Sequence, residues 1–166
     1  VLATGGASKI YQFTTNPKTS TGDGIAAAWR AGCTVSNMEF IQFHPTMFYD
    51  PGNPPFLITE ALRGYGAELV GGDGKKFIDP LKTRDVVSRA IVSKMKKTKE
   101  PCVYLDARTL DGIDLQARFP NIYHYCLGRG IDMNKDLVPV VPAAHYSCGG
   151  ILTDKLGQTS IPGLYA

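Results

Sequence analysis

The chain has 166 residues, of which 43% are apolar and 20% charged, and a net charge of +3. Those figures describe a globular protein of one ordinary domain or two small ones, and they exclude a disordered chain. No run of 18 apolar residues could span a bilayer, and no Lys/Arg cluster makes a nucleic-acid footprint: the densest, KMKKTKE at 94–100, reads as the solvated C-terminal end of a helix, where cations suit the dipole.

In chain order, VLATGG reads as a buried strand running into a glycine turn. STGDGIAAAWRAGC reads as a helix, capped between Ser20 and Asp23 and stopped by Gly32. NMEFIQF is the next strand, and it is expected to end at His44 because Pro45 cannot continue a ladder. PPFLITEALRGYGAELV passes from a Pro-rich loop into a short helix from about Thr59 and then a strand, and GGDGKKF is a hairpin turn. TRDVVSRAIVSKMKK is the clearest helix, with Val86, Val87, Ala90, Ile91 and Met95 as its apolar stripe. CVYLDA is a strand, and GIDLQARFPNIYHYCLGRG holds one or two helices. VPVVPAAHYSCGGILTD is extended up to a turn at Gly149 and Gly150, and IPGLYA is strand-like.

The four cysteines (Cys33, Cys102, Cys126 and Cys148) are far apart and include no C-x-x-C, so neither a zinc site nor a disulfide framework is expected; a reducing cytoplasm is the simplest compartment. The chain opens on VLATGG without a methionine and closes on IPGLYA without a polar tail, so it reads as an internal piece of a longer protein. The G-x-G-x-x-G fingerprint of a dinucleotide site is absent. Pattern alone supports a helix-rich α+β insert in an α/β host.

Eight stretches taken in order carry more: ATGG, TGDGIAAAWRAG, FIQFHPT, LITEALRGYGA, TRDVVSRAI, YLD, VPVVPAAHYSCGG and GLYA. Together they resemble the flavoprotein family of succinate dehydrogenase, fumarate reductase and L-aspartate oxidase. LITEALRG and PAAHYSCGG are most similar to its aspartate-oxidising branch. The resemblance implies an α+β capping domain inserted in an α/β FAD-binding domain, with the active site in the cleft between them. Residues 1–37 would end the first FAD-binding segment, 38–146 would form the cap, and 147–166 would start the returning FAD-binding segment. The nucleotide fingerprint would lie upstream of Val1, so this piece alone is expected to bind FAD weakly and to lack turnover. Tyr65 departs from the family, whose members usually carry glutamate there, as in RGEGA.

The reaction so implied is FAD-dependent oxidation of L-aspartate to iminosuccinate, with oxygen or fumarate as electron acceptor, in NAD biosynthesis. The implied partners are the dicarboxylates L-aspartate and fumarate, the remainder of the FAD domain and quinolinate synthase. A succinate dehydrogenase or fumarate reductase flavoprotein is the alternative parent. The flavin carries the redox step, so the protein must orient a dianionic four-carbon substrate. By resemblance Arg84, in RDVV, exchanges a proton with the substrate, although its residue type alone argues only for a carboxylate clamp. His44 and His145 match substrate-binding histidines. Thr46 follows His44 at the strand end, and Gln42 lies two residues back on the same strand face. Thr59 and Glu60 open a helix whose N–H groups favour an anion, and Glu60 is also expected to join a charge network with Arg63 or Arg84. Asp23 matches a flavin-contacting acid, and Gly5, Gly6, Gly149 and Gly150 would let backbone lie close to the isoalloxazine.

Overall fold

The computed structural model describes residues 1–166, which separate into two compact units. The first comprises Val1–Phe43 and Ala143–Ala166; the second is His44–Pro142.

The second unit is built on a four-stranded sheet. Its strands are β2 (Ile41–Phe48), β3 (Glu68–Val70), β4 (Val103–Asp106) and β5 (Val138–Ser147), in the order β2-β5-β4-β3; β2 and β5 also extend into the first unit. β4 pairs antiparallel with both neighbours, Leu105 lying opposite Leu69 on one side and Val138 on the other. Around the sheet lie α2 (Glu60–Gly64), α3 (Arg84–Thr98), α4 (Leu115–Arg118) and α5 (Pro120–Leu127). The core gathers Ile58, Leu62, Leu69, Val87, Ile91, Val103, Leu105, Met133, Val138 and Val140, all sealed from solvent. GIDLQARFPNIYHYCLG gives two helices rather than one because Pro120 at the start of α5 has no N–H for a continuous ladder.

Two readings of this unit need correction. The strand does not stop at His44: β2 runs through Pro45 to Phe48. Bonds on its outer side carry it past the proline: Ile58 N–H donates to Thr46 O at 3.0 Å and Phe48 N–H to Phe56 O at 2.8 Å. On α3 the buried stripe is Val87 and Ile91, with Met95 packed beside them; Val86 is exposed, one residue round from the core face.

The first unit carries a 3-10 turn at Ser8–Ile10, α1 (Asp23–Arg30), and a two-stranded sheet of β1 (Val35–Ser36) with β6 (Gly150–Ile151), in which Ser36 faces Gly150. VLATGG is not a strand. Leu2 N–H donates to Tyr165 O at 2.7 Å, but its backbone bonds go to two separate segments and make no ladder. IPGLYA likewise forms no strand: it has an isolated bridge of Tyr165 to Gln158, beside bonds from Thr159 N–H to Leu164 O and from Ala166 N–H to Gly157 O. No helix is long and apolar enough to cross a membrane.

Candidate functional site

In the second unit, β2 takes His44 into the interior, where it is 1% exposed. The Thr46 backbone N–H donates to His44 Nδ1 at 3.2 Å. An imidazole nitrogen that accepts cannot carry the proton, so in the neutral ring the proton sits on Nε2. Pro45 makes this contact possible by holding both its own φ and that of His44 extended. Thr46 is fully buried, and its hydroxyl donates to Ile58 O at 2.9 Å while Ile58 N–H returns a bond to Thr46 O at 3.0 Å. The Thr46 hydroxyl proton is therefore committed to the backbone, where it ties β2 to Ile58, the residue before Thr59. Gln42 belongs to the first unit and is exposed.

Thr59 caps α2, its Oγ1 accepting from Ala61 N–H at 3.3 Å, which leaves its hydroxyl proton to donate elsewhere. α2 has only five residues, so the field of its N-terminus is small and the hydroxyl is the stronger argument for an anion at Thr59. Glu60 opens the helix and meets Arg84, the first residue of α3. Arg84 Nε and Nη2 both donate to Glu60 Oε2, at 2.8 and 2.7 Å. On its other oxygen Glu60 faces Arg63 Nη2 at 3.5 Å. Burial raises the Glu60 pKa, but the Arg84 hydrogen bonds and the charges of Arg63, Arg84 and His44 outweigh it and hold the carboxyl below its ordinary value.

Arg63 was foreseen only as a network partner of Glu60. It is 1% exposed, Nη1 donates to Pro80 O at 2.5 Å, and Nε and Nη2 have no hydrogen-bond partner. Burial pushes this guanidinium below its ordinary pKa, against the attraction of Glu60. Arg89 pairs with Asp85 one turn along α3, on the surface. At Tyr65 the phenol oxygen accepts from Arg118 Nε at 2.9 Å and the ring meets Phe119 edge-on at 5.6 Å.

The first unit holds His145, on β5. Its Nδ1 lies 2.7 Å from Thr15 Oγ1, and its carbonyl accepts from Asn16 Nδ2 at 2.7 Å. The same unit contains a cavity of about 480 Å³ lined by Gly5, Gly6, Asn37, Ser147, Gly149 and Gly150 among others. That volume lies in the range of ligand pockets. Two of its glycines admit no side chain: a Cβ on Gly6 would come within 2.4 Å of Ser147 Oγ, and one on Gly149 within 2.0 Å of Asn37 O. Both glycines are therefore required by the close packing of the chain on itself beside the cavity. Ser147 Oγ also accepts from Ala7 N–H at 3.0 Å, pinning the glycine turn. All four predicted glycines line the cavity, whereas Asp23 is not among its lining residues; its carboxylate accepts from Thr21 Oγ1 at 2.9 Å, which lowers its pKa. Sequence reading missed Thr15, Asn37 and Ser147, whose contacts span more than a hundred residues and leave no local signal.

The model of the FAD binding domain family matches residues 1–166. The chain belongs to that family. Among curated proteins it is 56% identical to L-aspartate oxidase 1 of Ralstonia nicotianae and 54% identical to L-aspartate oxidase of Pseudomonas aeruginosa, covering 100% of this chain and 32% of each relative. Among solved structures it resembles a quinol-fumarate reductase with menaquinol (TM-score 0.86, 35% identity, 99% of this chain and 32% of that one). Mycobacterium smegmatis Sdh1 in complex with UQ1 is also similar (TM-score 0.77, 39% identity, 92% of this chain and 27% of that one). The chain thus spans about a third of the length of the curated relatives it matches.

Proposed function

We propose that this chain supplies the substrate-holding groups and part of the flavin cradle of an enzyme that oxidises L-aspartate to iminosuccinate. The second unit is read as the capping domain, inserted between the two segments of the first. What supports the reading most is the Arg84–Glu60–Arg63 cluster: a half-exposed arginine held by two hydrogen bonds on a carboxylate that a second, buried arginine also faces. Its support from relatives is the identity of 54–56% to proteins named L-aspartate oxidase.

FAD, when bound, would supply the two-electron oxidation of the Cα–N bond. The chain's own residues do the rest. His44, with its proton on Nε2, and Thr59, with a free hydroxyl proton, donate to a substrate carboxylate; His145 is a further carboxylate ligand. Arg84 contributes a permanent positive charge, its planar fork being held by Glu60 Oε2. Glu60 keeps Arg84 oriented through the two hydrogen bonds it accepts. Gly5, Gly6, Gly149 and Gly150 form the bare wall for the flavin ring.

The test is turnover of the full-length protein. L-Aspartate with oxygen should give hydrogen peroxide, and fumarate should serve as the alternative acceptor. Vigorous succinate oxidation without response to aspartate would move the assignment to a succinate dehydrogenase or fumarate reductase flavoprotein.

A further inference from the structure

The segment Thr14–Thr15–Asn16 has no part in the function proposed above, yet it is bonded closely to the strand that carries His145. Thr14 forms a parallel bridge with Ala144, and its hydroxyl donates to Ala144 O at 2.9 Å. Ala144 N–H donates to Phe13 O at 2.9 Å, and Thr15 N–H donates to Ala144 O at 3.0 Å. Asn16 Nδ2 holds the His145 carbonyl at 2.7 Å, and Thr15 Oγ1 meets the ring at Nδ1, also at 2.7 Å. Ring and carbonyl of one histidine are thus held by two consecutive residues, Thr15 and Asn16, and the residue before it by Thr14.

We propose that Thr15 is the positioning residue for His145, its hydroxyl holding the ring at Nδ1 so that Nε2 can meet a substrate carboxylate. A hydroxyl both donates and accepts, so it satisfies Nδ1 whichever nitrogen carries the proton. When a carboxylate is bound at Nε2 the proton stays there and the Thr15 O–H donates to Nδ1; against imidazolium, Nδ1–H donates to Oγ1 and Nε2 keeps its proton. Without the hydroxyl, Nδ1 loses that partner and the ring loses its fixed orientation. His44 reaches the same tautomer by a different route, through the Thr46 N–H. The proposal rests on the reading of His145 as a substrate ligand.

The experiment uses the full-length flavoprotein with L-aspartate as substrate and bound FAD measured by absorbance. Thr15→Val keeps the volume and removes the hydroxyl; Thr15→Ser keeps the hydroxyl and removes the methyl. Thr15→Val should raise KM roughly tenfold with kcat within about twofold and FAD content unchanged, the pattern of a lost ground-state donor. Thr15→Ser should stay near wild type. In a His145→Ala background Thr15→Val should add nothing. Thr15→Ala takes the place of Thr15→Val if the latter does not yield folded protein. Wild-type KM in Thr15→Val, or equal loss in Thr15→Ser, would overturn the proposal while leaving His145 in the site. An unchanged KM in His145→Ala would instead remove His145 from the site, and the proposal with it.

Discussion

Glu60→Gln should be among the most destabilising changes at a surface-accessible position of this chain, because the penalty falls on a residue that is not surface-accessible. Glu60 is 46% exposed, but Arg63 beside it is 1% exposed and has no hydrogen bond on Nε or Nη2. Stranding a buried charge costs roughly 3–5 kcal/mol; screening at the half-exposed Glu60 brings this to about 2–3 kcal/mol. The two Arg84 bonds would survive to the amide oxygen in weaker form, at a cost of about 1 kcal/mol. The sum is about 3–4 kcal/mol, a shift of about 1.5–2 M in urea midpoint if m is about 2 kcal/mol/M. Far-UV circular dichroism of the urea transition at pH 7 measures it. Arg63→Met is the matched control: it removes the buried charge, leaves Glu60 on Arg84, and should cost only about 1 kcal/mol for the lost Pro80 bond. Because the folded pKa of Glu60 lies below its ordinary 4.5, its contribution is fully present above pH 4.5 and disappears as pH falls through the folded value. The gap between wild type and Glu60→Gln should therefore narrow in acid. A loss under about 0.5 kcal/mol, or a control as damaging as Glu60→Gln, would refute the reasoning.

Other expectations concern the site. Arg84→Lys retains the charge and loses the fork, so kcat for fumarate reduction in the full-length enzyme should collapse with only a modest change in KM, and aspartate oxidation should suffer less; near-normal rates in both directions would take Arg84 out of the site. Gly149→Ala should release FAD on gel filtration, since its Cβ would lie 2.0 Å from Asn37 O, and a variant that stays stoichiometrically yellow would show that the cavity wall lies elsewhere. Peptide mapping after iodoacetamide treatment of the native, FAD-free protein at pH 8 should find Cys148 alkylated and Cys126 untouched, because Cys148 is exposed whereas burial raises Cys126 to about 11.

The helices were legible where apolar period and caps agree. TRDVVSRAIVSKMKK became α3 with Val87 and Ile91 inward, and Thr59 became the cap of α2. The reading failed where a neighbour decides the outcome. Pro45 looks like a strand terminator until the segment at Phe56–Ile58 is seen to bond the residues beyond it, and VLATGG looks like a strand until its backbone bonds, to two separate segments, are found to make no ladder. Within the site, Arg84 and Glu60 lie 24 residues apart, and their pairing could be guessed from charge. That Thr46 spends its hydroxyl on Ile58, and that Thr15 meets His145 across 130 residues, depends on tertiary placement with no periodic trace in the sequence.

The end of β5 carries two duties on alternate residues. His145 and Ser147 are half-buried and Tyr146 between them is exposed, so the two share one face: one meets Thr15, the other pins the glycine turn at Ala7. Because strand side chains alternate, deleting a single residue just before His145 would turn both to the opposite face in one step. On the function proposed above, substrate orientation and cofactor retention would be mechanically geared to one another. A lineage could tune either by substitution, but insertions and deletions in this strand would have to come in pairs.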